Sequence, residues 1–249
     1  MSRRKRKERD FAREFNHRGD NHLRVIEGGA VTKPRQKDVH IVPRNFHQDD
    51  LLGHLENEKI NIVFAIGPAG TGKTLISTLA GIKGFKKGYI DKFVLTRPAV
   101  SVDEQHGFLP GTLQEKMAPW TRPIFDIFEE YYHPEQIEYL LKANKLEIAP
   151  LAYMRGRTFK NSFIIADEMQ NATDSQMKML LTRIGEHSRM VVTGDLQQAD
   201  RMKSNGLLDF INKVETRTNL KHIGVCRFDI GDVERHDAVK EILDIYGED

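Results

Sequence analysis

Gly67-Pro-Ala-Gly-Thr-Gly-Lys-Thr74 matches the pattern G-x-x-x-x-G-K-[ST], and this stretch decides the fold. The apolar run at 62–66 precedes it and predicts a buried strand, while residues 75–82 follow it and predict a helix. A strand, a glycine-rich loop and a helix in this order form the context of a phosphate-binding loop. We interpret the stretch as such a loop; the alternative is a glycine-rich turn that binds nothing.

The chemistry of a phosphate loop gives each part of the stretch a role. Glycines let backbone N–H groups turn around a phosphate where a Cβ would clash, and the following helix N-terminus adds partial positive charge. Lys73 is expected to reach the β- and γ-phosphates of ATP, and the Thr74 hydroxyl to ligate Mg²⁺. All eight residues are predicted to bind the nucleotide: Gly67, Pro68, Ala69, Gly70, Thr71, Gly72, Lys73 and Thr74.

A second strand end carries two carboxylates. Residues 163–166 are apolar throughout, as a buried parallel strand should be, and the next two residues are Asp167 and Glu168. In nucleotide hydrolysis the first carboxylate at such a position holds the Mg²⁺ shell, and the second polarises the attacking water. The sequence therefore predicts Asp167 as a metal ligand and Glu168 as a catalytic residue.

Strands and helices alternate along the rest of the chain. This order predicts an α/β fold, a P-loop NTPase with a mostly parallel sheet flanked by helices, over residues 41–249. Residues 101–123 are rich in glycine and proline and predict a functional loop insertion. Further strands are predicted at 93–96, 146–149, 190–193 and 220–225, and helices at 48–58, 124–132, 134–144, 233–246 and from the capping box Thr173-Asp-Ser-Gln176 to Gly185.

Composition excludes several classes of protein. The chain has 249 residues, of which 30% are charged, and no apolar run approaches the length of a membrane span. The single Cys226 allows neither an internal disulfide nor a cysteine zinc site, so we expect a cytoplasmic protein without a membrane partner. Residues 1–40 begin with a basic run and lack periodicity, which predicts a mobile arm that either binds nucleic-acid phosphates or only improves solubility.

Four further side chains are candidates for ligand contacts. Gln48 precedes the phosphate-loop strand by one helix and either hydrogen-bonds an adenine edge or is an exposed polar residue. Arg97 follows a strand, where it could lie near phosphates or a bound strand. Trp120 either stacks on a base or anchors a core or interface. Gln198 lies just past the strand at 190–193, where a glutamine can sense a γ-phosphate.

Seven motifs, in order, resemble the PhoH family from about residue 44 to 247. This family is similar to the ATPase core of superfamily 1 helicases, so the resemblance implies ATP binding, a link to RNA metabolism and a ring-shaped homo-oligomer, plausibly a hexamer. It also implies that Gln198 is the γ-phosphate sensor and that Arg235 is an arginine finger. The motifs are Gly67-Pro-Ala-Gly-Thr-Gly-Lys-Thr74, Thr96-Arg-Pro-Ala-Val100, Gly107-Phe-Leu-Pro-Gly111, Pro150-Leu-Ala-Tyr-Met-Arg-Gly-Arg-Thr158, Asp167-Glu-Met-Gln170, Gln176-Met-Lys-Met179 and Thr193-Gly-Asp195.

Three functions are compatible with this pattern. The favoured one is an ATPase that acts on or is regulated by RNA or another single-stranded nucleic acid. The second is an ATP-dependent switch in protein assembly or stress response, without a nucleic-acid substrate. The third is a nuclease, which would need an acidic metal cluster beyond Asp167 and Glu168, and the sequence offers none with suitable spacing. Because superfamily 1 helicases clamp a strand between two cores and this chain has one, processive unwinding by a monomer is not expected.

Overall fold

The computed structural model describes residues 37–98, 113–198 and 205–234, together with Ala238 and Ile245. Within the helix that begins at Leu113, side chains are described from Trp120 onward. The helices and strands of these residues are α1 (Phe46–Glu56), β1 (Ile62–Ile66), α2 (Lys73–Lys86), β2 (Lys92–Thr96), α3 (Leu113–Glu129), α4 (Pro134–Lys142), β3 (Leu146–Ile148), β4 (Ser162–Ala166), α5 (Asp174–Leu181), β5 (Arg189–Gly194), α6 (Gly206–Glu215) and β6 (Ile223–Arg227).

The six strands of the described residues form one parallel sheet in the order β3-β2-β4-β5-β1-β6. The strand of the phosphate loop, β1, lies between β5 and β6, and Phe64 is in register with Val192 and Val225. Because all strands run in the same direction, their C-terminal ends meet at one edge of the sheet. In open α/β sheets this edge holds the ligand, so the fold brings the predicted site residues together.

Both faces of the sheet are buried, as expected for a parallel sheet. Successive side chains of β1 alternate between two apolar clusters. Val63 and Ala65 join the cluster that contains the apolar faces of α1 to α4. Phe64 and Ile66 join the cluster of α5 and α6. This double coverage explains why β1, and β4 after Ser162, are apolar at every position rather than at every second one.

The predicted insertion at 101–123 is partly wrong. Residues 99–112 lie outside the described residues, but α3 already begins at Leu113 and therefore includes Pro119 and Pro123. Thr121, Ile124 and Phe128, spaced i, i+3 and i+7, are all buried. This helical face packs on the core, and its burial outweighs the loss of a backbone N–H at each proline.

Two further predictions need correction. The helix that starts at the Thr173 capping box ends at Leu181 rather than at Gly185. The reason is that the backbone beyond it pairs with Phe159, whose carbonyl accepts from the Gly185 N–H at 2.7 Å. The sequence prediction also missed α6, which begins after Asn205, whose side chain accepts from the Leu207 and Leu208 N–H groups.

Other elements agree with the predictions within a few residues, with the last strand shifted to Ile223–Arg227. Residues 1–36 of the basic arm predicted at 1–40, and most of the helix predicted at 233–246, lie outside the described residues. No helix in the described ranges has the length and hydropathy needed to cross a bilayer.

Helix α2 lies unusually close to the sheet at Gly81. A Cβ at this position would come within 2.4 Å of Phe93 Cε2 and 2.7 Å of Phe163 Cδ1. These rings cannot easily move away, because Phe93 is fully buried and packs edge-on against Phe128 at a centroid distance of 5.0 Å. Gly81 therefore sets the depth at which the helix that follows the phosphate loop rests on the sheet.

We predict opposite effects for two glycine-to-alanine changes in α2. Gly81→Ala should lower the free energy of unfolding by about 1–3 kcal/mol, because the clash exceeds the gain in helix propensity. Gly84→Ala should raise it by about 0.5–1 kcal/mol, since the new methyl meets only Ile90 Cγ1, at 3.9 Å. Urea denaturation of both variants measures the difference, and stabilisation by both would contradict the close packing at Gly81.

Candidate nucleotide-binding site

The phosphate loop is fixed at its start by backbone hydrogen bonds to both neighbouring strands. The Gly67 N–H donates to the Gly194 carbonyl at 3.1 Å, and the Phe228 N–H donates to the Ile66 carbonyl at 2.7 Å. Gly67 has φ +145°, and a Cβ there would lie 2.4 Å from the Phe228 carbonyl oxygen. The chain can therefore leave β1 in this direction only with glycine at position 67.

Gln48 is buried beneath the phosphate loop, so the prediction of an exposed polar residue is wrong. Its Nε2 donates to the Thr71 carbonyl at 3.1 Å, and its Oε1 accepts from the Arg44 N–H at 2.9 Å. Gly72, with φ +82°, leaves room for the amide, since a Cβ there would lie 2.8 Å from Nε2. Gln48 thus braces the loop from below, and its contact with adenine stays a prediction.

Lys73 begins α2 and folds back over the loop. Its Nζ donates to the Gly67 carbonyl at 2.7 Å, the Pro68 carbonyl at 2.5 Å and Thr71 Oγ1 at 3.1 Å. Burial lowers the pKa of the Lys73 ammonium from its ordinary value, while three carboxylates act in the opposite direction: Asp195, Asp167 and Glu168. The lysine therefore lies among the acidic groups at the C-terminal ends of β4 and β5.

Asp167 and Thr74 lie within hydrogen-bond distance of each other, and their role as metal ligands stays a prediction. Asp167 Oδ1 accepts from Thr74 Oγ1 at 3.2 Å and also from the Thr193 hydroxyl. Thr96 Oγ1 is buried and has no hydrogen-bond partner among the described residues, and it lies with Asp167 around a small cavity of about 20 Å³. The carboxylate and hydroxyl oxygens of Asp167, Thr74 and Thr193 are of the ligand type that Mg²⁺ prefers.

Glu168 is held in an uncommon backbone conformation. It has φ +54° and ψ +39°, the left-handed region, which costs a residue other than glycine about 1 kcal/mol or more. Its Oε2 accepts from Gln170 Nε2 at 2.6 Å, and Gln170 Oε1 in turn accepts from the Asp195 N–H at 3.2 Å. Gln170 is only 1% exposed, so one buried amide links the ends of β4 and β5.

Gln170, Thr193 and Asp195 had no predicted role, although all three belong to motifs quoted above. Their positions just before or after the C-terminal ends of predicted strands could have identified them. Thr193 is near the end of β5, Asp195 follows that strand, and Gln170 lies two residues beyond Glu168. Parallel strands place all these positions at one edge of the sheet.

A cleft of about 290 Å³ opens above the phosphate loop. Its other walls include Arg97, Trp120, Glu168, Asp195 and Gln198. The Arg97 guanidinium lies 5.8 Å from the centre of the Trp120 ring, so these two predicted candidates are in contact. Trp120 is half-buried, and both of its predicted roles remain compatible with this position.

Residues 228–234 brace the outer side of the loop. The Glu234 N–H donates to the Gly70 carbonyl at 3.1 Å, and His47 Nδ1 lies 2.7 Å from Asp232 Oδ2. His47, Asp229 and Asp232 are close enough to hold a metal ion, but the two carboxylates also accept backbone N–H bonds of their own turn. Arg235, the predicted arginine finger, lies just outside the described residues.

Comparison with solved structures gives a distant likeness. The UvsW helicase from bacteriophage T4 aligns with a TM-score of 0.46 and 14% identity, over 76% of this chain and 60% of that one.

Comparison with curated proteins gives closer relatives. A PhoH-like protein of Synechocystis is 44% identical over 227 residues, which are 89% of this chain and 66% of the relative. A PhoH-like protein of Bacillus subtilis is 44% identical over 188 residues, or 75% of this chain and 58% of the relative. The chain thus spans less than two thirds of the length of these relatives. The family model described as PhoH-like protein matches residues 40–247. On this match, which covers the phosphate loop and the acidic strand end alike, the chain belongs to the PhoH-like protein family.

Proposed function

We propose that the chain is a Mg²⁺-dependent ATPase whose turnover responds to RNA. The observation that carries the ATPase part is the convergence of Lys73, the Thr74–Asp167 pair and Glu168 on one cleft. A phosphate-binding loop alone would support nucleotide binding. Hydrolysis additionally requires ligands for the metal ion, here Thr74 and Asp167, and a separate carboxylate that activates water, here Glu168.

Nucleotide binding is assigned to the loop and its lysine. Backbone N–H groups of 67–74 and the N-terminus of α2 would attract the phosphates, and Lys73 would add a full positive charge. The hydrogen bonds that Lys73 makes to loop oxygens keep its ammonium at the cleft floor. Gln48 would contact the adenine edge from its position under Thr71.

Thr74 and Asp167 would hold Mg²⁺ through their side-chain oxygens, with Thr193 and Thr96 hydroxyls beside them. When bound, the cation would offset the negative charge that develops on the phosphates. Glu168 would accept a hydrogen bond from the attacking water and take its proton as the oxygen bonds to the γ-phosphorus and the bond to ADP breaks. Gln198, at the cleft wall, would sense the γ-phosphate.

Two further parts of the proposal concern residues that lie wholly or mostly beyond the described ranges. Arg235 follows Glu234, whose contact with Gly70 supports a role beside the phosphates, in its own or a neighbouring subunit of a ring. The basic arm at 1–40 would add phosphate contacts to bound RNA. Because its ligands would be ATP and RNA, the protein would act in the cytoplasm.

The first prediction separates binding from chemistry. Lys73→Ala should weaken ATP affinity roughly 10- to 100-fold, because the phosphates lose a charge-assisted hydrogen bond. Glu168→Gln should keep ATP affinity while the turnover number falls by about 10²–10⁴, because the water loses its base. Both are measured by nucleotide-binding fluorescence and phosphate release.

Lys83→Ala is the matched control. Lys83 lies near the C-terminal end of the same helix, away from the cleft, and its Nζ pairs with Glu56 Oε1 at 2.9 Å. It should leave affinity and turnover unchanged. Parent-level hydrolysis by Glu168→Gln would show that the water is activated by another group.

The second prediction concerns Gln170 as a positioning residue. Gln170→Leu removes both hydrogen bonds of the amide, so Glu168 is free to rotate away from the water. We expect the turnover number to fall on the order of tenfold or more while the KM for ATP changes little. Gln176→Ala removes the side-chain half of the capping box of α5, the hydrogen bond from the Thr173 N–H, and should lower stability without this kinetic effect. Equal losses in both variants would assign Gln170 a purely structural role.

The third prediction tests the RNA part of the proposal. A single-stranded oligouridylate should raise the rate of ATP turnover, whereas an assembly switch with a protein partner should not respond to it. Oligodeoxythymidylate of the same length shows whether the response depends on the ribose 2′-hydroxyl. If neither strand changes turnover or binds, the RNA part is wrong and the protein-switch hypothesis replaces it.

A further inference from the structure

The loop after β3 reaches the same edge of the sheet as the nucleotide cleft. Residues 150–157, which we name the 150–157 loop, begin with a 3-10 helix at Leu151–Met154. The Leu151 N–H donates to the Arg97 carbonyl at 3.2 Å, so the start of the loop is joined to the segment that lines the cleft. The loop is therefore a neighbour of the cleft and not one of its walls.

Buried contacts hold the 150–157 loop in place. Leu151 and Met154 point into the core, where both are almost fully buried. At the other end Arg157 makes two parallel hydrogen bonds to the Glu147 carboxylate, at 2.6 and 2.8 Å. Lys92 contacts the same carboxylate at 2.5 Å. These partners, Arg157 foremost, lower the pKa of Glu147 to about 2, so the carboxylate stays charged at neutral pH.

The two large side chains of the loop that are not anchored point to solvent. Tyr153 is 63% exposed, and Arg155 is also exposed. Neither side chain forms a hydrogen bond or an ion pair with another residue in the part of the chain that the structure describes. The loop thus presents one aromatic ring and one guanidinium on a fixed backbone, with its acidic neighbour Glu147 already neutralised by two cations.

This combination is what single-stranded nucleic acid recognition requires. An aromatic face stacks on any base, and a nearby cation pairs with the backbone phosphates. Arg97 and Trp120 place a second guanidinium and a second aromatic ring at the cleft wall. Arg97 is joined to the loop by the hydrogen bond from the Leu151 N–H to its carbonyl. A strand lying along this edge would meet aromatic and basic groups in succession.

We propose that Tyr153 and Arg155 form a binding platform for single-stranded RNA, in which Tyr153 stacks on a base and Arg155 pairs with a phosphate. The proposal rests on the RNA part of the proposed function and gives it a site. Because the Leu151 N–H is bonded to the Arg97 carbonyl, and Arg97 lines the cleft, a strand held by the loop would be connected to the cleft through this one hydrogen bond. The platform would therefore link strand binding to ATP turnover.

The test measures affinity for a fluorescein-labelled oligouridylate of about 12 nucleotides by anisotropy. Tyr153→Ala should weaken binding about tenfold or more, while Tyr153→Phe, which keeps the ring, should bind like the parent. Arg155→Ala should reduce the slope of log affinity against log salt by about 0.7, the value for one phosphate contact on a single strand. Arg155→Lys keeps the charge and should keep the slope.

Matched controls lie at the opposite edge of the sheet. Tyr89 is 73% exposed just before β2, and Arg217 is exposed after α6, so Tyr89→Ala and Arg217→Ala remove the same groups elsewhere. Both controls should bind like the parent. If Tyr153→Ala and Arg155→Ala match these controls while the parent binds RNA, the platform is overturned and the RNA function stands. If the parent binds no oligouridylate, the RNA function fails and the platform fails with it.

Discussion

The close approach of Gly67 to Phe228 is the constraint on which the rest of the site depends. The end of β1 is bonded on one side to Gly194 and on the other to Phe228, so the loop must leave through a space that admits no side chain. This exit directs the loop carbonyls toward Lys73, and it brings residues 228–234 against Gly70. The phosphate-binding geometry is thus a consequence of how three strands meet.

The acidic half of the site depends on a second close contact. Glu168 holds a left-handed backbone conformation that its own side chain does not favour. The hydrogen bonds of Gln170 to the Glu168 carboxylate and the Asp195 backbone offset part of that cost. Gly194 permits this arrangement, since a Cβ there would lie 2.8 Å from Gln170 Oε1. A strained backbone conformation of this kind persists only where several surrounding contacts hold it in place.

Much of the fold and the centre of the site could be predicted, because their signals are local. The phosphate loop, its strand and Asp167 can each be recognised from a few consecutive residues of the sequence. What could not be predicted depends on contacts between distant segments. Gln48 is buried only because Thr71 lies above it. The proline-containing start of α3 is helical because one of its faces is buried against the core. The free energy of this burial comes from tertiary contacts, so helix propensities do not predict it.

The strand order also has a consequence for how the molecule is made. Among the described strands, β1 hydrogen-bonds only to β5 and β6, so Ile62 can pair only after Met190 and Ile223 have been synthesised. Strand β2 can pair with β3 and β4 much sooner. Contacts so far apart in sequence form slowly, and a growing chain leaves the ribosome N-terminus first. The phosphate-loop strand is thus synthesised before its partners and stays an unpaired apolar segment until they emerge. Nascent chains should need protection there, and nucleotide binding should be among the last properties that the folding chain acquires.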